Sequence, residues 1–433
     1  MSVIFENSDG IMADTGSAAV LTASDENAVP FVLEELSSDG HEGAVIAGWR
    51  MWSAVGSMSL CVAMLIASEF MPVSLLTPIA ADLGATAGMA GQAISISGLF
   101  AVVTSLFIAT IAGRIDRRHL LMGLTGLMLA SLILIAEASS FGMLMIARAV
   151  LGMVVGGFWA LATATIMRLV PKDAVPKALG ALYTGNALAT TFAAPIGSYL
   201  GGIIGWRGAF WALVPIVVLN LIWQWISLPS MPPQTANPVG KVFGLLQRRN
   251  VAIAMVGVML SFAGAFGVFT YMRPFLEAYT RVSVPQLSLL LLAMGGAGFV
   301  GTYGATALIE RHLYSLLRLL PLALGVVTIG LLSVGHVPWG VAAMLIAWGA
   351  LNSAIPVSWA AWLAKGIRDE PESGGGLIVA AIQLSIMLGA AFGGLLLDHI
   401  SIAATLIGGA ILLVLASLII GNGDRSRLFS PSI

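Results

Sequence analysis

Two ionisable residues stand alone in apolar surroundings: Glu69 in LCVAMLIASEFMPVSLLTPIA (60–80) and Arg148 in LMIARAVLGMVVGGFWA (144–160). An ionised group in hydrocarbon costs about 2.5–3.5 kcal/mol on insertion scales, so each position implies a use. Burial favours the neutral form of a carboxylic acid, whereas a nearby guanidinium favours its charged form. A Glu that alternates between a wet setting beside Arg and a drier one can therefore take up and release a proton. The competing reading is a permanently ionised pair that only fixes two helices. Counted along the expected spans, Glu69 and Arg148 differ in depth by roughly 6 Å at about 1.5 Å per residue, close enough for contact directly or through water.

Other polar and aromatic residues fall in mid-span. Asn186, Thr190, Thr191, Asn352 and Gln383 carry groups that can read heteroatoms without adding charge, and Trp159, Phe266, Tyr271 and Trp359 could stack on a planar solute. Single amides also tie helix to helix, and aromatics also face lipid, so each residue has a structural reading beside the binding one. Arg148-x-x-x-Gly152-x-x-x-Gly156-Gly157 places small residues four apart, a groove for close helix approach. AAPIGSYLGGIIGWR (193–207) combines Pro195 with Gly197, Gly201 and Gly202, which fits either a hinge or static close packing. In IAGRIDRRHLL (111–121), Asp116 sits among Arg114, Arg117 and Arg118, a set that can gate by locking helix ends or can simply anchor them.

The elements that must position these groups are membrane spans. The chain has 433 residues, 58% hydrophobic and only 9% charged, too few charges to hydrate a soluble domain of this size. Apolar runs of about 20 residues recur along most of its length, and lipid-facing backbone requires that they be helical. The expectation is an all-α membrane protein with twelve transmembrane helices in two six-helix bundles. Its parts are an acidic, disordered cytoplasmic tail (1–48), a first bundle (49–228), a linker (229–249), a second bundle (250–421) and a short tail (422–433). Spans five and six are expected at about 176–203 and 209–228, and spans eight and nine at about 286–309 and 316–334. Of the 20 Lys and Arg, 16 fall on one side of this arrangement and three on the other, which puts both termini in the cytoplasm.

LATTFAAPIGSYLGG (188–202) aligns with LSIMLGAAFGGLLLD (384–398), and IDRRH (115–119) falls near IERHL (309–313), offsets of 196 and 194 that point to an internal repeat. The lone Cys61 excludes a disulfide framework, the five histidines form no metal-spaced cluster, and no G-x-x-x-x-G-K-[ST] is present. No cofactor, metal, nucleic-acid partner or enzymatic chemistry is expected.

With these motifs in place, the chain resembles the major facilitator superfamily, in particular its twelve-helix drug/proton antiporters. The basic loop departs from the family pattern, with Gly113-Arg114 where Asp-Arg is usual, which shifts the gating role toward Asp116, Arg117 and Arg118. Arg148…Gly152…Gly156 is similar to the span-four motif linked to proton transfer, and Ala194-Pro195…Gly197 is a loosened antiporter motif. EFMPVSLLTPIAADLG (69–84), SFAGAFGVFTYMRPF (261–275) and IPVSWAAW (355–362) resemble the purine ribonucleoside exporters of that superfamily, with sugar exporters sharing part of the pattern. The resemblance implies a monomeric, multi-pass protein of a bacterial inner membrane that exports purine nucleosides such as inosine, and purine base analogues, against protons. Glu69 and Arg148 would couple the proton. Asn186, Thr190, Phe266, Tyr271, Asn352, Trp359 and Gln383 would contact substrate. Pro195 and Gly197 would join the gating set. Export of sugars or hydrophobic drugs is the alternative within transport, and a transport-inactive receptor or enzyme the alternative outside it.

Overall fold

The computed structural model describes residues 29–171, 173–233, 244–367 and 371–421. Residues 1–28, most of the acidic tail, lie outside this set, as do 234–243 of the linker and 422–433. The chain divides into two compact units, Met1–Trp49 and Arg50–Ile433. The first is helical from Val29.

Every regular element among the described residues is a helix. They are α1 (Val29–Asp82), α2 (Ala87–Ala112), α3 (Arg117–Ala136), α4 (Phe141–Leu169), α5 (Val175–Ser227), α6 (Arg249–Thr270), α7 (Val284–Val334), α8 (Pro338–Gly366), α9 (Pro371–His399) and α10 (Ile402–Gly421). All 10 are long and apolar enough to cross a membrane, the stretch of α1 that qualifies being Gly48–Asp82. A short helix, Met272–Phe275, and a π turn, Leu276–Thr280, follow α6.

The expected spans five and six, and eight and nine, fall within helical runs of 53 and 51 residues, in each of which two helices meet at a kink. Each is interrupted once, inside the expected gap. Gly205 adopts φ 75°, ψ 165°, open to glycine because it has no Cβ. His312 adopts φ −128°, ψ 21°.

Packing follows the small residues. A Cβ on Gly152 would strike the Ser97 carbonyl and one on Gly156 the Ala101 carbonyl, so the expected groove on α4 is filled by the backbone of α2. Gly349 of α8 meets the Met294 carbonyl of α7 in the same way, and this pair lies 197 residues beyond the Gly152–Ser97 pair at both positions. Gly185 of α5 against the Ser59 carbonyl of α1 is repeated, 204 residues on, by Gly389 of α9 against the Ala263 carbonyl of α6. Glycine–carbonyl approaches thus recur in the second half of the chain, at offsets of 197 and 204 residues.

The apolar interior forms two main clusters. One is built from residues between Ala54 and Met231 on α1–α5 and the segment after α5. The other draws mainly on α6–α10, with Val73, Ile94 and Ala194 added from the earlier helices. Phe70 packs against both.

Candidate functional site

Glu69 and Arg148 are brought together. Arg148 Nη2 lies 3.3 Å from Glu69 Oε1, with side chains 0% and 5% exposed. That nitrogen makes no aligned hydrogen bond, so the contact is a charge pair rather than a fork. The other guanidinium nitrogens are anchored to backbone: Nε donates to the Ala93 carbonyl of α2 at 3.0 Å, and Nη1 to the Ser68 carbonyl of α1 at 3.0 Å. Glu69 Oε2 accepts from the Ser97 hydroxyl at 3.0 Å. The groove at Gly152, one turn beyond Arg148, lets α2 come close enough to supply Ala93 and Ser97. Chemically the pair is asymmetric. The cation has two carbonyl acceptors besides Glu69, whereas the carboxylate has only the Ser97 hydroxyl and the charge contact.

Phe70, next to Glu69 in α1, joins an aromatic cluster. The Phe70 ring lies 5.7 Å from Phe266, tilted by 34°, and 5.8 Å edge-on from Phe269. Phe266 stacks on Phe262 at 6.5 Å, and Phe269 on Trp348 at 6.1 Å. Phe266 thus packs on Phe70, in the helix that carries Glu69.

Two of the four rings expected to stack on a solute are enclosed by protein instead. Tyr271 is fully buried against Gly91, Gly393 and Gly394, with its hydroxyl donating to the Ala390 carbonyl at 2.7 Å. Trp359 is 1% exposed, set over Gly257 and edge-on to Trp362 at 5.9 Å. Glycine leaves a pocket that each ring fills, so both serve packing here. Trp159 is half-buried and stacks on Tyr183 at 5.9 Å.

Among the polar candidates, Asn186 and Asn352 are half-buried, Gln383 is buried and Thr190 is exposed. The Thr190 hydroxyl donates to the Asn186 carbonyl at 2.8 Å within its own helix. Thr191 and Gln383 lie at close backbone approaches. A Cβ on Gly295 would meet the Thr191 carbonyl at 2.6 Å, and one on Gly98 the Gln383 carbonyl at 3.1 Å.

Asp116 caps α3, accepting from the Arg118 N–H at 2.8 Å. It also accepts from the Ser230 hydroxyl and from the Met231 N–H at 3.0 Å. The Arg117 N–H donates to the Met231 carbonyl at 3.0 Å, and Arg118 Nη2 to the Trp225 carbonyl at 2.6 Å. Burial alone would raise the Asp116 pKa, but the hydrogen bonds from Ser230, Met231 and Arg118 outweigh it and leave it below the usual carboxylate range. The loop is therefore fastened to the segment leaving α5. Pro195 lies inside α5. At Gly197 an added Cβ would meet Met71 Cγ at 2.7 Å and Ser74 Oγ at 2.8 Å, so α5 rests on α1 just past Glu69.

Several contacts escape sequence reading. Asp398, at the end of α9, accepts from the Thr86 hydroxyl at 2.5 Å and from the Gly88 N–H at 3.0 Å, closing over the start of α2. Glu277 accepts from Thr77 at 2.6 Å and from Arg273 Nε at 2.7 Å, while Arg273 Nη1 donates to the Ser74 carbonyl. With Gly202 against Val284, these contacts gather at the helix ends opposite the basic loops around Arg117, Arg168, Arg311 and Lys365, whereas the Thr191–Gly295 approach lies in mid-helix. A Thr or Asp at a helix end gives no hint in one dimension of which distant end it faces.

Among the described residues, helices long and apolar enough to cross a membrane enclose a buried acid–guanidinium pair, which defines a multi-pass membrane protein. Residues 58–371 match the Major Facilitator Superfamily, and the chain belongs to that superfamily. It is 47% identical over 380 residues to "Transcription regulatory protein OpdE" of Pseudomonas aeruginosa, covering 87% of this chain and 94% of that protein. It is 40% identical over 374 residues to "Purine ribonucleoside efflux pump NepI" of Salmonella typhimurium, covering 86% and 94%. Among solved structures, a bacterial homolog of the human lysosomal transporter Spinster, inward-facing and unoccupied, aligns with a TM-score of 0.71 at 14% identity. That alignment covers 88% of this chain and 98% of the other, and it speaks to fold alone.

Proposed function

We propose that this protein is a proton-coupled antiporter exporting purine ribonucleosides such as inosine, and purine base analogues, across a bacterial inner membrane. The observation that carries the reading is the buried Glu69–Arg148 pair, in which the guanidinium is anchored to backbone and the carboxylate is not. The 40% identity to purine ribonucleoside efflux pump NepI of Salmonella typhimurium supports the substrate class. In this reading α5 and α7 each cross twice, turning at Gly205 and His312, so twelve spans form two six-helix bundles with both termini cytoplasmic. The repeated glycine–carbonyl contacts support that division. In this reading the contacts of Asp398 and Glu277 close the external side.

One proton entering down 100 mV contributes about 2.3 kcal/mol, enough for roughly a fiftyfold gradient of a neutral solute at one-to-one coupling. Asn186, Asn352 and Gln383 address the solute's polar edge, with Thr190 beside them and Phe266 offering a ring face; Asp116, Arg117, Arg118, Pro195 and Gly197 serve the gate.

The test is labelled inosine uptake into everted vesicles with and without a pH gradient, for the natural chain and for Glu69→Gln. The natural chain should concentrate inosine on energisation and the variant should only equilibrate it. A variant that still concentrates inosine sinks the coupling assignment, and concentration of a sugar or hydrophobic drug in place of inosine moves the substrate class. A second reading, a transport-inactive membrane regulator, rests on the printed name of the 47% relative; it predicts no flux of any solute.

A further inference from the structure

We infer that Phe70 is the residue through which substrate and proton communicate: with Phe266 it forms the aromatic face that receives the purine, and it is joined in α1 to Glu69. This deepens the nucleoside reading and rests on it. Three observations lead here. Phe70 packs against both main apolar clusters, so its ring feels any movement between them. Of the five rings in the cluster, Phe262, Phe269 and Trp348 are 6%, 9% and 1% exposed. Phe70 and Phe266 are only half-buried, so these two rings keep surface that the protein does not cover. Lastly, Phe70 follows Glu69 directly. Among the described residues, the charged group facing that carboxylate is Arg148 from α4, and α2 contributes the Ser97 hydroxyl.

The coupling follows from these contacts. When Glu69 takes up a proton, the charge pair with Arg148 is lost and the acceptor held by Ser97 weakens, so α1 keeps Arg148 only through the Ser68 carbonyl and is held less firmly to α2 and α4. Neighbouring residues on a helix move as one body, so the Phe70 ring shifts against Phe266. Conversely, a base stacked on both rings holds α1 in the setting where Glu69 is ionised and paired. Linkage makes the effect reciprocal: if the base favours the ionised form, protonation weakens the base to the same factor.

The experiment is equilibrium binding of labelled inosine to the purified full-length chain in nanodiscs, from pH 5.5 to 8.5. It compares the natural protein with Phe70→Leu and Phe70→Tyr, each checked for monodispersity and Tm. The natural protein should bind more weakly as pH falls. Phe70→Leu should raise Kd roughly tenfold at high pH, the scale of one base–aromatic stack, and should flatten the pH dependence although Glu69 is intact. Phe70→Tyr should restore both. A Leu variant that keeps the natural pH dependence overturns the inference whatever its affinity, and so does a Tyr variant no better than Leu. Absence of inosine binding by the natural protein sinks the nucleoside reading, and this inference with it.

Discussion

At the scale of single residues, the guanidinium of the buried pair is anchored to backbone and the carboxylate is not. Arg148 holds two backbone carbonyls, whereas Glu69 has one hydroxyl and one charge contact. Arg148→Lys should therefore be far from conservative. A single ammonium cannot keep the Ala93 and Ser68 bonds in the same fork geometry, and proton-driven inosine accumulation should fall at least tenfold in vesicles. Retention of natural accumulation by Arg148→Lys would show that the fork geometry is dispensable. Asp116 is a different kind of acid. Its pKa is lowered in the fold, so its contribution is fully present above the unfolded carboxylate value near 3.9 and is lost as pH falls through the lower folded value. At neutral pH, Asp116→Ala removes an N-cap and should cost about 1 kcal/mol. A thermal unfolding series should show that deficit shrinking below about pH 4; a constant deficit down to pH 2 would count against the linkage.

At the scale of helices, glycine against carbonyl decides which pairs touch. At Gly152 the neighbour is the Ser97 backbone, which cannot swing aside as a side chain can. Gly152→Ala should push α2 from α4, lower the yield of folded protein, and loosen the Ala93 and Ser97 contacts at the charge pair. Gly126, inside α3, has nothing within 4 Å of an added Cβ. Gly126→Ala should be neutral or stabilising by about 0.5–1 kcal/mol through helix propensity alone. Melting temperatures of the two variants should move in opposite directions; equal losses would mean that propensity or expression, not packing, sets the effect.

At the scale of the whole molecule, the contacts at one end of the helices are specific and polar. Asp398 reaches the start of α2 across 310 residues of sequence, and Glu277 reaches Thr77 across 200. If that end is the external gate, Asp398→Asn weakens a closed state and shifts the population toward an open one. Spin labels at Met89→Cys and Leu395→Cys, with Cys61→Ser to remove the native thiol, should give one short distance in the otherwise natural chain. A second, longer distance should appear with Asp398→Asn. An unchanged distribution would assign Asp398 to helix capping alone.

Sequence alone determined what depends on composition and local spacing. It yielded the membrane-spanning character, the helical class, the superfamily, the solitary Glu69 and Arg148, and the small-residue face of α4, because hydrocarbon leaves the backbone one solution and makes isolated charges conspicuous. Tertiary structure decided what depends on which surfaces meet. It made Tyr271 and Trp359 packing residues rather than open rings, because glycines on neighbouring helices leave sockets that only those rings fill. It also fastened Asp116 to the segment after α5 and placed Phe70 between two apolar cores. A phenylalanine among apolar residues carries no signal in one dimension; its position between cores exists only after distant helices have packed.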